Sequence, residues 1–267
     1  MGYVDALVFF IDILGSQDRN DFDELFQINE TFHGELEKNQ SYDKPHTAYE
    51  RVIYTFSDCA YIIYNFKEGI EEGRKDLRKL FDIALRNTEY LIMQFLKKGF
   101  LCRGGIAYDK VYYEKERSLF FGPAVNRAHY FEDKISVVPR IIMDDYIATN
   151  VLALNQEWLD NASSQEEKQL IQESNGNIVK QDEDKEYYLH YLNSFELGVN
   201  YSEYEQLSED LYILIQREIQ NQKLKIANNS AQKDAYEKII KKYEWLKRYL
   251  DESQPIHDVM GILFPFV

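Results

Sequence analysis

The sequence predicts an α+β protein, a ferredoxin-like (βαββαβ) core followed by a helical and hairpin C-terminal extension. Three observations predict it. Hydrophobic periods of strand and helix type alternate up to about residue 150 in the order β-α-β-β-α-β-(β)-α-β, which is the split βαβ order. The first run, Ala6 to Leu14, is apolar throughout except for Asp12. Beyond residue 150 the pattern changes to charge-rich helices and one further hairpin. The chain therefore divides into a core at 1–150 and an extension at 151–267 that is a candidate dimer arm.

Residues 4–13 form the first strand, because a continuous apolar run with β-branched and aromatic residues suits a strand covered on both faces. A carboxylate within such a run is costly unless something pairs with it. Gly15, Ser16 and Gln17 follow as a turn, and Phe22, Leu25, Phe26, Ile28, Phe32 and Leu36 have helical spacing over 21–38. Val52 to Phe56 and Cys59 to Tyr64 are two β-rich runs joined by Ser57-Asp58, which makes a hairpin with Asp58 at its tip. One long helix is predicted over 72–98, ending at Gly99. Phe100 to Tyr113 is a strand carrying Gly104-Gly105, and Leu119 to Gly122 returns beside it. Pro123 opens a helix running to Glu132, at the position where its missing N–H costs nothing. Pro139 to Met143 is a strand and Asp144 begins a helix. Farther on, Ile178 to Lys180 and Tyr187 to Leu192 flank a charged turn, 203–222 and 230–250 are charged helices, and the apolar tail 260–267 is expected to dock.

Composition excludes several functions. The chain has 267 residues, is 45% hydrophobic and carries a net charge of −15. Such acidity argues against gripping nucleic acid or an anionic membrane, while one nucleotide held through a metal ion stays compatible with local acids. Two cysteines, Cys59 and Cys102, suggest neither a zinc site nor a disulfide framework. The five histidines have no ligand-like spacing. No secretory signal and no apolar run of the roughly 20 residues a membrane helix needs are evident, so the expectation is a soluble cytoplasmic protein.

The chemistry-bearing residues are Asp12 at the end of the first strand, Asp58 at the hairpin tip, and Val125-Asn126 in a helix after Gly122. In a ferredoxin-like sheet that strand end and that tip are neighbours. Two carboxylates there suit two divalent cations roughly 3.5–4 Å apart, the arrangement for in-line displacement at phosphorus. Taken singly, Asp12 and Asp58 read as cap or turn residues. Four motifs in order, Phe10-Ile-Asp12-Ile-Leu-Gly15, Phe56-Ser-Asp58-Cys-Ala60, Arg103-Gly-Gly-Ile106 and Gly122-Pro-Ala-Val-Asn126-Arg-Ala128, resemble those of the class III nucleotidyl cyclases over residues 5–145.

The resemblance implies the following roles. Asp12 and Asp58 bind two Mg²⁺ or Mn²⁺ ions, with the carbonyl of Ile13 assisting. Backbone N–H groups of Gly15, Ser16 and Gln17 hold the triphosphate, and Arg103 contacts phosphate oxygens. Asn126 positions the ribose from the other subunit of a homodimer whose sites lie at the interface. The ribose 3′-oxygen attacks the α-phosphorus and pyrophosphate leaves.

Two departures matter. The family's transition-state arginine, four residues after the asparagine, is here Tyr130, leaving Arg127 or Arg103 as substitute cations. The family's adenine-reading lysine and aspartate are here Tyr54 and Leu119, a pair better suited to a pyrimidine. With the charged extension, this resembles the pyrimidine cyclases of bacterial anti-phage (Pycsar) systems, which make cyclic UMP or cyclic CMP for a separate cyclic-nucleotide effector. Tyr54 favours UTP over CTP. Plainer alternatives stand beside this reading: Tyr54 as a core aromatic, Arg103 as an edge-strand arginine, and the whole chain as a non-catalytic nucleotide-binding scaffold. The hairpin of diguanylate cyclases is absent, since the turn reads Thr55-Phe-Ser-Asp-Cys59.

Overall fold

A computed structural model describes residues 2–15, 20–41, 47–198, 201–228 and 230–254. Ser16, Gln17 and the expected docking tail at 260–267 lie outside them. The chain forms two compact units, 1–162 with 178–190, and 163–177 with 191–267.

The first unit is an α+β layer structure. Its strands are β1 (Val4–Ile13), β2 (Tyr49–Phe56), β3 (Cys59–Phe66), β4 (Cys102–Glu114), β5 (Leu119–Phe121), β6 (Ile141–Met143), β7 (Val179–Gln181) and β8 (Tyr187–Leu189). They pair in the order β2-β3-β1-β4-β6-β8-β7, with β5 beside β4. The first four strands are antiparallel and stand in the ferredoxin-like order. Joined by α1 (Phe22–Ser41) and α2 (Leu77–Lys97), they make the predicted core. The sheet does not stop there. β6 joins β4 in parallel, and the later hairpin, β7 and β8, extends the sheet from β6 rather than standing apart from it.

β1 is central, and its two sets of alternating side chains are buried on opposite faces. Leu7, Phe9, Ile11 and Ile13 face α1 and α2. On that side Phe32 of α1 meets Phe95 of α2 edge-on at 4.6 Å, and Phe81 of α2 meets Tyr108 of β4 at 5.1 Å. Ala6, Val8 and Phe10 form one cluster with Ala107, Val111 and the small residues Ala124, Val125 and Ala128 of α3 (Pro123–Tyr130). Asp12 continues this second face.

The predicted helix over 72–98 is interrupted. A single 3-10 turn at Glu72–Arg74 comes first, and α2 begins only after Asp76, whose carboxylate accepts from the N–H groups of Arg78 and Lys79. Asp favours this cap over a helical interior position, which divides the helix there.

Gly105 lets α3 lie directly on the sheet. A Cβ at this position would stand 2.1 Å from the carbonyl oxygen of Ala128. Gly105→Val is therefore expected to destabilise the protein by at least about 3 kcal/mol through overpacking. A urea titration of the variant checks this, and an unchanged midpoint would contradict the packing described here.

The first unit closes its helices with α4 (Asp145–Asn161), and the second contains α5 (Gln165–Asn175), α6 (Asn193–Glu196), α7 (Tyr201–Asn228) and α8 (Lys233–Glu252). α7 and α8 pack antiparallel. Tyr212 donates to Asp251 at 2.6 Å near one end, and Lys225 stands over Tyr236 near the other.

Candidate active site

The second face of β1 ends in a cluster of charged groups. Antiparallel register places Asp12 opposite Cys59 on one side and opposite Arg103 on the other. Arg103 is thus on a central strand, with β1 and β6 as its neighbours, and not at an edge. Its Nε donates to Asp12 Oδ2 at 3.0 Å. The β2–β3 hairpin tip folds against the end of β1, where the Ile13 N–H donates to the Asp58 carbonyl oxygen at 3.2 Å. Asn29 of α1 steadies the tip by donating from Nδ2 to the Ser57 carbonyl at 2.7 Å. Ser57 itself takes φ 52°, a left-handed conformation few non-glycine residues adopt. Gly15 also has positive φ, 77°, and turns the chain immediately after β1.

A third acid joins the two predicted ones. α3 was expected to run to Glu132, but after Tyr130 the coil widens into a π turn, Phe131–Ile135. Glu132, in that turn, is buried. Its Oε1 lies 2.6 Å from Arg103 Nη2, so one guanidinium bridges Asp12 and Glu132. A sequence signal for Glu132 existed: it continues the buried stripe of Val125 and Ala128 at helical spacing.

Negative charge exceeds positive charge in this cluster. Burial raises the Asp12 pKa, Arg103 opposes the rise, and Asp58 adds to it. Burial pushes Glu132 up to about 7, again against the pull of Arg103 and with a further push from Asp12. Burial, then Asp12, Asp58 and Glu132, drive the Cys59 thiol up to about 12.

The Glu132 shift carries a pH prediction. Its folded-state pKa lies above its ordinary 4.5, so the stability it contributes is present below about 4.5 and is lost as pH rises through about 7. Gln cannot ionise. The melting temperature of Glu132→Gln relative to wild type, measured without metal, should therefore rise progressively between those two pH values. A pH-independent difference would contradict the assignment.

The acids fit a hard divalent cation. Asp12 and Asp58 supply carboxylate oxygens from adjoining backbone segments, and their mutual repulsion is what a cation relieves. Among the described residues, no group of three or more His, Cys, Asp or Glu side chains forms a closed metal cage. A two-carboxylate site of this kind leaves the remaining coordination to water and phosphate oxygens, as Mg²⁺ sites commonly do.

The other predicted residues are placed as follows. α3 runs antiparallel to β4, with Gly122 against Lys110 and Val111, Ala128 against Gly105, and Glu132 at Arg103. Asn126 is exposed and stands six residues before Glu132, roughly 9 Å along a helix axis. Along α3, Asn126 is thus set back from Glu132. Arg127 is engaged elsewhere, paired with the buried carboxylate of Asp144 and lying over the Phe131 ring at 5.5 Å. Tyr130 is exposed. Tyr54 is buried with its ring stacked on Phe120 at 4.4 Å, and its hydroxyl finds no hydrogen-bond partner among the described residues. Leu119 lies one residue along β5, opposite Glu114.

No protein-family model matches the chain. No curated protein matches it either. Several solved structures are similar. The catalytic core of a rhodopsin-guanylyl cyclase with converted specificity, in complex with ATPαS, is 17% identical with a TM-score of 0.42, over 57% of this chain and 83% of that one. The monomeric guanylyl cyclase domain of the RhoGC fusion protein from the aquatic fungus Blastocladiella emersonii is 14% identical with a TM-score of 0.43, over 71% and 96%. A bacterial light-regulated adenylyl cyclase is 16% identical with a TM-score of 0.39, over 55% and 45%. The likeness is one of fold.

Proposed function

We propose that this chain is a nucleotide cyclase that converts a pyrimidine nucleoside triphosphate, UTP in preference to CTP, into its 3′,5′-cyclic monophosphate. The observation that carries the reading is the meeting of Asp12 and Asp58 at one end of a ferredoxin-like sheet, with Arg103 directly opposite Asp12. In the reaction the ribose 3′-oxygen forms a bond to the α-phosphorus. The bond from that phosphorus to the bridging oxygen breaks, pyrophosphate leaves, and the 3′-hydroxyl proton passes to solvent.

Asp12, Asp58 and the Ile13 carbonyl would hold Mg²⁺ or Mn²⁺, two per site. Bound there, such ions activate the attacking oxygen and neutralise phosphate charge. The turn that Gly15 opens meets the triphosphate. Asn126 orients the ribose in a site made by two copies of the chain, a reading supported by its exposure. Arg103 meets the phosphates from its place beside Asp12. Tyr54, stacked on Phe120, and Leu119 shape a small base pocket. Signalling in anti-phage defence through a separate cyclic-nucleotide effector follows from the resemblance of the motifs. No helix among the described residues is long and apolar enough to cross a membrane.

One observation favours a second reading, a non-catalytic nucleotide-binding scaffold. Tyr130 replaces the expected arginine, and Arg127 is already paired with Asp144. Incubating the purified protein with ATP, GTP, CTP or UTP and Mn²⁺, and resolving products by mass, separates the two. A cyclic pyrimidine monophosphate supports the enzyme and names the base. No product from any of the four supports the scaffold.

A further inference from the structure

We infer that Glu132 is a positioning residue that keeps the Arg103 guanidinium from closing over both oxygens of Asp12, and so keeps Asp12 open to a divalent cation. The inference rests on the metal-dependent reading above and deepens it. Arginine and carboxylate left to themselves form a two-toothed pair, with two parallel N–H groups on the two carboxylate oxygens. Arg103 does not do this. Its Nε donates to Asp12 Oδ2 at 3.0 Å, while its Nη2 lies 2.6 Å from Glu132 Oε1. Glu132 draws one arm of the fork away, so the guanidinium takes one oxygen of Asp12 and not two.

The arrangement is held on both sides. Asp12 and Arg103 are directly paired across β1 and β4. Glu132 is fixed by the π turn, in which the Ser136 N–H donates to the Phe131 carbonyl at 2.7 Å. Its side chain is 5% exposed, against 27% for Arg103, so Glu132 is the anchored end of the bridge. Glu132 also meets the Asp12 carboxyl side to side, so it bears on that acid directly as well as through Arg103.

Mn²⁺ binding to the full-length protein, followed by the free-ion electron paramagnetic resonance signal without nucleotide, tests this directly. Glu132→Ala frees Nη2 to close on Asp12, and Mn²⁺ affinity should fall about tenfold, in the range for groups that orient a metal ligand. Glu132→Gln keeps an acceptor for Nη2 at the same reach and should stay within about threefold of wild type. In turnover, the half-saturating Mn²⁺ concentration of the Ala variant should rise by the same factor, with the rate at saturating Mn²⁺ largely restored. A loss of packing alone would lower the melting temperature without that selective shift. If Glu132→Ala does not fold, Glu132→Asp replaces it: its carboxylate is one methylene short of Arg103, and its Mn²⁺ affinity should fall below that of Glu132→Gln.

The outcomes are separable. Wild-type binding of Mn²⁺, its loss in Asp58→Ala, and unchanged affinity in Glu132→Ala (or Glu132→Asp equal to Glu132→Gln) would overturn the positioning role and leave the metal site standing. Failure of the wild-type protein to bind Mn²⁺ would overturn both.

Discussion

Asp58→Ala should abolish cyclic nucleotide formation, lowering the rate by about 10³-fold or more. The size follows from losing a carboxylate that holds the catalytic ions, whose charge stabilisation is worth several kcal/mol, at about 1.4 kcal/mol for each factor of ten. The fold should survive. Asp58 is held at the tip by its backbone carbonyl, which accepts from Ile13, and its side chain has no hydrogen bond among the described residues. Removing the carboxylate also removes a repulsion that raises the Asp12 pKa, so the variant should be as stable as wild type or slightly more stable without metal. Product mass analysis at saturating Mn²⁺, with a thermal melt on the same sample, checks both statements. A variant that keeps its activity would remove Asp58 from the chemistry, and one that unfolds would make the tip a structural element first.

Asn126→Ala should cost at least about 10²-fold in rate, as misplacement of a reacting group does, and its loss should be repaired in trans. Asn126 is exposed and lies roughly 9 Å along its helix from the Asp12–Arg103–Glu132 cluster, so each site would take its asparagine from the other copy. Neither Asn126→Ala nor Asp58→Ala alone should turn over. In a two-fold dimer mixed from the two, one of the two sites in each heterodimer is intact. Random mixing should restore about a quarter of wild-type activity, because about half of the dimers are heterodimers with one working site each. Titrating one inactive variant into the other and following cyclic nucleotide measures this. Absence of any recovery under exchange conditions would place Asn126 outside a shared site.

The two strongest features of the site were readable from the chain. Asp12 stands out because it interrupts an apolar strand, and Asp58 because two β-rich runs joined by Ser57-Asp58 make a hairpin. Their meeting follows from topology: a strand order of β2-β3-β1-β4 puts the β3 end of that hairpin beside the end of β1. The expected helices and strands of the core are largely where hydrophobic periodicity puts them. Where local side-chain chemistry competes with periodicity, as at Asp76, the helix divides.

The pairings of the charged groups around Asp12 were not readable. Arg103 was expected to meet phosphate, and the structure joins it to Asp12 and to Glu132. Arg127 was a candidate transition-state cation, and it is paired with Asp144. Tyr54 was expected to read the base, and the partner its ring stacks on, Phe120, was not foreseen. Each of these pairings joins residues from separate elements. Each depends on strand register or on the direction of α3 across the sheet.

By itself, then, the sequence determined the α+β core, the order of its strands and the two acids at one end of β1. These follow from side-chain period and local turn chemistry, which act between near neighbours. Only the tertiary structure decided which carboxylate each arginine serves, that a third acid belongs to the cluster, and that the sheet continues through β8 and β7. Those outcomes arise where a buried charge must find its partner across the sheet, and burial sets the cost of any other arrangement.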